Sequence, residues 1–403
     1  MNICIVSNFP DLLNGTADMR FTYLAGILQE RGHNVELIIS DFEHEVKEFR
    51  KRDDYSLYNF KITTLHEPSY SKNLSLRRLY AHYIWGKNVG RYLRSKLRAP
   101  DVIYVAIPSL TVAREVANYC KIHIKCKYLI DIQDLWPEAF QMVVRRKLLK
   151  KAFFPITHYV DYAYKSADLV IGVSDTYRDR GLRVNDKDKK GLTVYIGNDG
   201  AKFDDGKNRY QVEKPIDEFW LIYIGTMGFS YDLKCIVDAV RIVNERGLID
   251  KKLKFVAMGR GPLLNEFKKY AQESGIYNEF TGALQYEKMV GKMCSGDVVM
   301  NCINPGAAQS VTNKVGDYAL SGLPVINTQE NIEYRNLVSE YNCGINCRCS
   351  NSYDVALAIE KLAQNPAMCK QMGHNAVRLG RERFDRRYTY SKIVEAIESF
   401  RRE

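Results

Sequence analysis

The feature of this sequence that most constrains its fold is the segment 310–324, which lies between two short apolar runs. The runs at 297–303 and 323–327 contain β-branched residues, as is typical of buried strands. Between them, Ser310 or Thr312 can cap the start of a helix, and Gly322 suits its left-handed end. The segment therefore predicts a helix that connects two parallel strands in a βαβ unit.

The start of this predicted helix carries side chains suited to an anion and a polyol. Such a helix start presents unpaired N–H groups and a partial positive charge, which favour a phosphate. Lys314 adds a full charge in the first turn, and the Asp317 carboxylate can accept hydrogen bonds from sugar hydroxyls. Gly316 costs about 1 kcal/mol relative to alanine in a helix, which the close approach of a ligand would explain. A capped surface helix with an ion pair between Lys314 and Asp317 fits the same residues equally well.

Strand-like runs alternate with helical patterns along the whole chain, which indicates an α/β fold with parallel sheets. A first strand–helix–strand unit lies within residues 2–39, and the pattern begins again at residue 219. Two runs of the second half end in glycine-containing turns, 225–228 and 259–262, whose amides can reach a diphosphate; Arg260 adds a charged donor. With 403 residues, of which 46% are hydrophobic, the sequence has room for two domains of nearly equal size.

The formal net charge of +11 favours an anionic partner, such as a phosphorylated substrate, an anionic membrane or a nucleic acid. We expect no nucleic acid, because no recognisable binding motif is present. Basic residues accompany apolar ones in the helical patterns at 74–98 and 145–154, which fits either a solvated face or attachment to anionic lipid. Without a leader or a membrane-spanning run, we expect a cytoplasmic protein, peripheral on the inner face of the membrane if these helices bind lipid.

Two motifs contain residue types that can bind a metal, but neither has the spacing or the context of a metal site. The cluster Cys343, Cys347 and Cys349 lacks a paired zinc spacing, and most of the ten cysteines lie in apolar runs typical of a reduced core. A literal Asp-x-Asp at 186–188 lies in a lysine-rich loop ahead of a strand, as a surface turn would. We therefore predict no metal and no cofactor.

The strand-like run at 126–132 ends in a segment with several polar residues. Its sequence from Asp131 to Glu138 is Asp-Ile-Gln-Asp-Leu-Trp-Pro-Glu. Polar groups at the carboxyl end of a strand lie where ligands bind in open α/β sheets. Asp134 and Glu138, each taken alone, also fit an ordinary helix cap and helix start.

The amino-acid sequences of two segments resemble motifs of a known protein family. The segment from Asn313 to Ile326 is similar to the donor-binding segment of retaining GT-B glycosyltransferases of glycosyltransferase family 4, in particular the capsule and O-antigen branch that transfers N-acetyl-amino sugars. The phrase 134–138 resembles the Asp-Leu-Trp-Pro-Glu phrase on the acceptor side of the same enzymes. The resemblance covers nearly the whole chain. It implies two facing Rossmann-like domains with a deep cleft: 1–198 for the acceptor, 199–385 for the nucleotide sugar, and 386–403 as a helix crossing back.

The resemblance also implies site residues. In this family a Glu-x7-Glu pair usually contacts the donor sugar and the ribose, and the matching positions here hold Gln309 and Asp317, which leaves the sugar open. The family's Arg and Lys after the first strand of the second domain are absent, so Lys314 and Arg260 must neutralise the diphosphate. We expect catalytic roles for Asp134, Lys314 and Arg260. The implied donor-binding residues are Gly15, Thr226, Gly228, Arg260, Leu284, Gln309, Asn313, Lys314 and Asp317, and those on the acceptor side are Arg20, Asp134 and Glu138.

These features predict a retaining glycosyltransferase that moves an N-acetyl-amino sugar from a UDP-sugar in capsule, O-antigen or exopolysaccharide synthesis. The expected acceptor is a polyprenyl-diphosphate-linked sugar or an oligosaccharide. One alternative is a UDP-sugar 2-epimerase of the same fold, which needs ionisable groups on both sides of C2, whereas the seven histidines are scattered. The other is a non-catalytic two-domain binding protein of the secreted type, against which the missing signal sequence counts. The linkage and the oligomeric state stay open.

Overall fold

The computed structural model describes residues 1–8, 20–50, 55–72, 75–135, 154–306 and 311–401. The chain divides into two compact units: unit 1 is Met1–Tyr195 with Tyr390–Glu403, and unit 2 is Ile196–Thr389. Each unit is built around a parallel sheet flanked by helices, which confirms the α/β fold expected from the alternating pattern.

Unit 1 contains a sheet of seven strands among its described residues, in the order β5-β2-β1-β6-β7-β8-β9, and every pairing in it is parallel. A short antiparallel pair, β3 and β4, lies outside this sheet. The strands are β1 (Asn2–Ser7), β2 (Asn34–Ser40), β3 (Phe42–Glu43), β4 (Glu48–Phe49), β5 (Lys61–Leu65), β6 (Val102–Ile107), β7 (Lys127–Ile132), β8 (Leu169–Gly172) and β9 (Leu192–Thr193). The helices are α1 (Arg20–Glu30), α2 (Leu76–Ser95), α3 (Leu110–Ile122), α4 (Phe154–Ser166) and α5 (Asp175–Leu182), with a 3₁₀ turn at Tyr55–Leu57.

Unit 2 repeats the architecture with a six-stranded parallel sheet. Its strands are β10 (Glu218–Ile224), β11 (Lys252–Met258), β12 (Asn278–Gly282), β13 (Val298–Asn301), β14 (Val325–Asn327) and β15 (Gly344–Asn346). Its helices are α6 (Gly200–Arg209), α7 (Leu233–Arg246), α8 (Leu264–Glu273), α9 (Tyr286–Cys294), α10 (Lys314–Ser321), α11 (Ile332–Glu340), α12 (Ser352–Ala363), α13 (Pro366–Leu379) and α14 (Arg386–Thr389), with a π-helical turn at Gly380–Phe384.

The strand order of unit 2, β12-β11-β10-β13-β14-β15, runs outward in both directions from the β10–β13 pair. Because the chain reverses direction across the sheet at this pair, the connections after β10 and β13 leave toward opposite sides and open a crevice at the carboxyl ends. Unit 1 has the same reversal between β1 and β6. The sheet order therefore defines one ligand-accessible edge in each unit.

The last helix of the chain, α15 (Ser391–Ser399), belongs to unit 1. Its buried residues Ile393, Val394 and Ile397 join the apolar cluster formed by β1, β2, β6 and α1, which includes Ile5 and Phe21. The C-terminal segment thus completes the core of the unit in which the chain begins.

A buried ion pair fixes the same region of unit 1. The Arg20 guanidinium donates to both carboxylate oxygens of Asp131, at 2.6 and 3.2 Å, and to the carbonyls of Val194 and Tyr195. It also donates to the Tyr390 hydroxyl at 3.3 Å. Arg20 and Asp131 are 3% and 0% exposed, so their charges compensate each other away from water.

The basic helix α2 buries only some of its apolar residues. Its buried residues include Trp85, Val89 and Leu93, and the apolar side chains of its first two turns point to solvent. These exposed side chains are Leu76, Leu79, Tyr80 and Tyr83. Among the helices in the described ranges, none is both long and apolar enough to cross a membrane.

We expect Arg20→Met to lower the free energy of unfolding by about 3–5 kcal/mol, because it leaves the Asp131 carboxylate buried without its partner. Urea denaturation followed by circular dichroism measures the loss. The matched control is Arg31→Met, which removes an exposed arginine that pairs with Glu398 at 2.9 Å and should change stability little. Equal effects of the two substitutions would contradict a structural role for the buried pair.

Candidate functional site

The carboxyl edge of the unit 2 sheet is formed by glycine turns packed backbone against backbone. After β10, the Gly225 amide donates to Met258 O at 2.9 Å, and the Met227 amide donates to Arg260 O at 2.9 Å. Gly259 has φ +149°, and a Cβ there would lie 1.8 Å from Gly225 O. Only glycine allows this approach, so the two turns after β10 and β11 form one continuous backbone surface.

Lys314, the first residue of α10, extends over this surface. A Cβ at Gly225 would lie 3.7 Å from Lys314 Cδ and 4.0 Å from Nζ. The ammonium lies between two aromatic rings, 3.8 Å from the Tyr231 centroid and 4.3 Å from the Tyr223 centroid. Lys314 is 8% exposed, and its Nζ makes no hydrogen bond to any described residue. The site therefore holds a buried ammonium with unused donors.

Burial without a counter-ion lowers the pKa of Lys314 to about 7. The two tyrosine rings offset part of the desolvation of the charged form, since a cation over aromatic faces gains about 2 kcal/mol when desolvated. An incoming phosphate would supply the missing acceptors and restore the charged form of the lysine. Lys314 is thus arranged to bind an anion that approaches the turn at Gly225.

The start of α10 differs from the capped helix expected from sequence. Asn313 occupies the cap position and makes no side-chain capping bond, and the Thr312 hydroxyl is buried without a hydrogen bond. The expectation that Thr312 caps the helix is therefore wrong, and Ser310 lies outside the described residues. The amides of Val315 and Gly316 donate instead to the carbonyls of Thr312 and Asn313, at 3.1 and 3.2 Å, so backbone bonds close the first turn of the helix.

Asp317 lies on α10, three residues after Lys314, and is 7% exposed. Its Oδ1 accepts hydrogen bonds from Asn198 Nδ2 and from the Tyr286 hydroxyl, each at 2.7 Å. Burial raises the pKa of this carboxyl to about 7, and the hydrogen bond from Tyr286 opposes the shift. No ion pair joins Asp317 to Lys314, whose Nζ has no hydrogen-bond partner within the described ranges, and both residues are buried, so the interpretation of the segment as a surface ion pair does not apply.

The presence of glycine at position 316 is explained by a neighbouring side chain and not by the close approach of a ligand. A Cβ at this position would lie 2.0 Å from Asn198 Oδ1 and 3.2 Å from Phe384 Cβ. The glycine therefore makes room for the Asn198 side chain, and no ligand is needed to explain it.

The remaining predicted donor residues of unit 2 lie at the same edge. Thr226 is exposed and its carbonyl accepts from the Tyr223 hydroxyl at 2.6 Å, whereas Gly228 is buried. Arg260 is exposed and makes no side-chain hydrogen bond or ion pair within the described part of the chain, so its guanidinium is available to a ligand. Leu284, after β12, and Asn313 are exposed too.

The predicted acceptor-side residues lie in unit 1 and differ from one another. Asp134 is exposed two residues beyond β7, at the carboxyl edge of its sheet. Arg20 is buried, and its guanidinium is engaged by Asp131, main-chain carbonyls and Tyr390, as described above. Three predicted residues, Gly15, Glu138 and Gln309, lie outside the described residues, as does the basic segment 145–151.

The Asp-x-Asp motif builds a turn. Asp188 accepts from the amides of Lys190, Gly191 and Val170, and Asp186 forms an exposed ion pair with Lys165. Cys343 and Cys347 are buried free thiols, and Cys349 is half-buried. Over the described ranges, no three His, Cys, Asp or Glu side chains are grouped so that they could hold a metal ion.

Sequence reasoning missed four residues of the site: Tyr223, Tyr231, Asn198 and Tyr286. Tyr223 lies among the buried residues of β10, and Tyr231 lies in the loop after this strand. Aromatic residues are common in both positions, so neither residue indicated a binding site. The only signal for Asn198 was the helical glycine at 316, which needs a close neighbour.

Together these groups give the edge two chemical capacities. Lys314, Arg260 and the amides of Thr226 and Gly228, which donate to no backbone carbonyl of the described residues, can neutralise an anion such as a diphosphate. Asp317 can accept hydrogen bonds from hydroxyl groups. An anion and a polyol bound side by side are the parts of a nucleotide sugar.

Comparison with known proteins agrees with this chemistry. Residues 218–365, within unit 2, match the family described as Glycosyl transferases group 1. The chain is also similar to an uncharacterized glycosyltransferase of Methanocaldococcus jannaschii, with 22% identity over 383 residues that cover 82% of this chain and 94% of the relative.

Solved structures share the fold over nearly the whole chain. Anabaena HepE in complex with UDP has a TM-score of 0.70 and 15% identity, with 99% of this chain and 100% of that chain covered. Sucrose-phosphate synthase of Thermosynechococcus elongatus has a TM-score of 0.69 and 14% identity, with 99% and 98% covered. Residues 218–365 therefore match the group 1 glycosyltransferase family, and the solved structures show the GT-B fold over nearly the whole chain.

Proposed function

We propose that this protein is a retaining glycosyltransferase that uses a UDP-sugar, with an N-acetyl-amino sugar as the transferred group. The acceptor is a polyprenyl-diphosphate-linked sugar or an oligosaccharide in capsule, O-antigen or exopolysaccharide synthesis. The observation that carries the proposal is the Lys314 ammonium, buried without a hydrogen-bond partner in the described part of the chain and adjacent to the turn at Gly225. The amino sugar and the pathway rest on the resemblance of the segment 313–326 and the phrase 134–138.

The difficult step of such a transfer is departure of the nucleoside diphosphate. Negative charge grows on the β-phosphate as the bond between the sugar C1 and the phosphate oxygen breaks. Lys314, Arg260 and the amides of Thr226 and Gly228, which donate to no backbone carbonyl of the described residues, supply preorganised positive charge at that position. These groups reduce the barrier without a metal, so metal-independence is part of the proposal.

The acceptor hydroxyl attacks C1 from the face that the diphosphate leaves, so the new bond keeps the configuration of the old one. Its proton passes to the departing phosphate, and UDP is released. Asp134 is proposed to orient the acceptor hydroxyl, on the basis of its exposed position beyond β7 and of the resemblance. No covalent intermediate with the protein is required.

Attachment to an anionic membrane is the second part of the proposal. Helix α2 contains five basic residues and no acidic ones, and Lys87 and Arg94 among them pair with Glu115. The exposed apolar stripe lies on its first two turns, which also contain Arg77. A basic helix with an exposed apolar stripe binds anionic lipid through both charge and apolar burial.

We expect Lys314→Met to reduce transfer by about 10²- to 10³-fold, as the loss of one preorganised donor does in comparable sites. The same change should raise the free energy of unfolding by about 1 kcal/mol, because it removes an uncompensated buried charge. Calorimetric titration with UDP and GDP in the presence of EDTA measures nucleotide binding, and a thermal scan measures stability.

The matched control is Lys254→Met. Lys254 is also largely buried in unit 2, but it pairs with Glu279 at 2.8 Å, so its loss should destabilise the protein and leave UDP binding unchanged. A folded Lys314→Met protein with full activity would refute the assignment. Conversion of a UDP-amino sugar without any acceptor would instead identify an epimerase.

The affinity for UDP should be highest near pH 7 and fall on both sides. Above pH 7, Lys314 loses its proton, because its pKa is lowered to about 7, and the site loses positive charge. Below pH 7, Asp317 gains a proton, because its pKa is raised to about 7, and it becomes a weaker acceptor for hydroxyl groups. Calorimetric titrations with UDP at several pH values between pH 5.5 and pH 9 measure this dependence of affinity on pH.

Lys314→Arg serves as the control for this profile, because arginine keeps its charge throughout the range. We expect the decline above pH 7 to disappear in this variant. Retention of the full alkaline decline in Lys314→Arg would assign it to another group.

Binding to vesicles should depend on the apolar stripe. We expect the double variant Leu79→Ser/Tyr83→Ser to lose about tenfold or more in binding to phosphatidylglycerol vesicles, since both side chains are exposed and available for apolar burial. Co-sedimentation measures binding, and phosphatidylcholine vesicles test the requirement for anionic lipid. The control is Ile332→Ser/Tyr353→Ser, which removes an equally exposed pair in unit 2. Equal binding by the two double variants would exclude the stripe as the contact surface.

A further inference from the structure

The Lys314 ammonium is flanked by two aromatic rings of unit 2. Its Nζ lies 3.8 Å from the centroid of the Tyr231 ring and 4.3 Å from that of the Tyr223 ring. Among the described residues, the other ionisable group that acts on it is the Cys302 thiol, and burial raises the pKa of that thiol so that it stays neutral. Within the described ranges the rings therefore compensate this charge, since the face of an aromatic ring is electron-rich.

The nearer of the two rings, that of Tyr231, is fixed by the backbone on either side of it. Tyr231 forms an antiparallel bridge with Ile303, in the segment that follows β13. The amide of the next residue, Asp232, donates to Cys302 O at 3.2 Å, and the Asp232 carboxylate accepts from the Ser350 hydroxyl at 2.5 Å. These bonds tie the loop to the ends of two strands, so the position of the ring is preorganised.

Tyr223 connects the same arrangement to the glycine turn. Its hydroxyl donates to Thr226 O at 2.6 Å, and its ring meets that of Tyr231 edge to face, with the centroids 6.0 Å apart. Lys314 Nζ lies 4.0 Å from the position that a Cβ at Gly225 would occupy. The ammonium, the two rings and the turn are thus held in one mutual arrangement.

A ring compensates a lysine differently from a carboxylate. Lys254, another largely buried lysine of unit 2, pairs with Glu279 at 2.8 Å, and a carboxylate in such a pair would repel an incoming phosphate. An aromatic ring has no net charge, so it favours the ammonium and leaves the attraction between the ammonium and an anion intact. The competing explanation is that Tyr231 only packs against the apolar core of unit 2, with which it is in contact.

We propose that Tyr231 is a positioning residue whose ring keeps the Lys314 ammonium charged and in place beside the turn at Gly225 before the diphosphate of the donor binds. The inference rests on the proposed function, because the anion it assigns is the diphosphate of the nucleotide sugar. Tyr231 acts through Lys314 and needs no contact with the substrate.

Tyr231→Leu removes the ring and keeps an apolar side chain. We expect the pKa of Lys314 to fall by about one unit from its value of about 7, because the charged form loses the electron-rich face. UDP binding should then weaken about tenfold at pH 8 and only about twofold at pH 6, where most of the wild-type lysine and half of the variant lysine stay charged. Calorimetric titration measures these affinities.

The pKa of Lys314 can also be measured without any nucleotide. NMR titration of protein labelled with carbon-13 at lysine follows the Lys314 side chain directly. The signal is assigned by its absence from the spectrum of Lys314→Arg.

Two control variants separate the ring from other effects. Tyr231→Phe keeps the ring and should retain the wild-type dependence of UDP affinity on pH. Tyr277→Leu removes a ring that lies 3.8 Å from the exposed Lys252 ammonium, and it should leave both UDP affinity and the Lys314 titration unchanged. If Tyr231→Leu is poorly folded, trifluorophenylalanine at position 231 keeps the shape of the ring, removes the electron-rich character of its face and should lower the pKa of Lys314 in the same direction.

The possible outcomes are separable. A Lys314 pKa that is unchanged in Tyr231→Leu, or that rises because water enters the space left by the ring, would overturn the positioning role and leave the proposed function intact. A loss of UDP affinity that is equal at pH 6 and pH 8 would do the same. A wild-type protein that binds no UDP would overturn the proposed function and, with it, the assignment of the diphosphate. The NMR titration distinguishes these failures, because it reports on the ring and the lysine alone.

Discussion

Parallel pairing of β10 with both β11 and β13 is the constraint on which the site of unit 2 depends. It brings the ends of three strands to one edge and requires the turn at Gly259 to pass within contact distance of the carbonyl of Gly225. The amides of Gly225, Met227 and Gly259 donate to neighbouring carbonyls and hold the turns together as one surface. Lys314 reaches this surface only because α10 begins after β13, on the other side of the strand-order reversal.

Two of the protein's buried charges have opposite surroundings. In unit 1, Arg20 and Asp131 form a compensated pair whose hydrogen bonds are made within the unit. In unit 2, Lys314 has aromatic neighbours and no counter-ion among the described residues, and burial moves its pKa and that of Asp317 to about 7. Uncompensated charge of this kind reduces stability, and it is typical of sites whose missing partner is a ligand.

Much of the fold could be predicted because it depends on local patterns. Alternating strand and helix signals indicated two α/β units, and Gly322 marked the end of α10, where the structure has it in a left-handed conformation with φ +79°. The position of Lys314 at a helix start followed from the segment that encloses it. Its surroundings did not, because the rings of Tyr223 and Tyr231 reach it through tertiary packing.

Contacts between distant residues account for what the sequence could not predict. Asn198 and Asp317 are 119 positions apart, and no local pattern joins them. Gly316 indicated that something approaches the helix, but the identity of its neighbour depended on how the connection before α6 packs. The resemblance assigned Arg20 to the acceptor side, whereas its hydrogen bond to Asp131, 111 positions away in the sequence, could be known only from the three-dimensional structure.

The membership of Tyr390, Ile393, Val394 and Ile397 in the core of unit 1 has a consequence for how the chain is synthesised. The ribosome releases the residues of unit 2 before it releases this last segment. Unit 2 is contiguous and can fold during translation, whereas unit 1 lacks part of its apolar core and the Tyr390 hydroxyl that contacts Arg20 until the segment from Tyr390 onward has been made. Unit 1 is therefore completed after unit 2, and part of its apolar core stays exposed to water while unit 2 is synthesised.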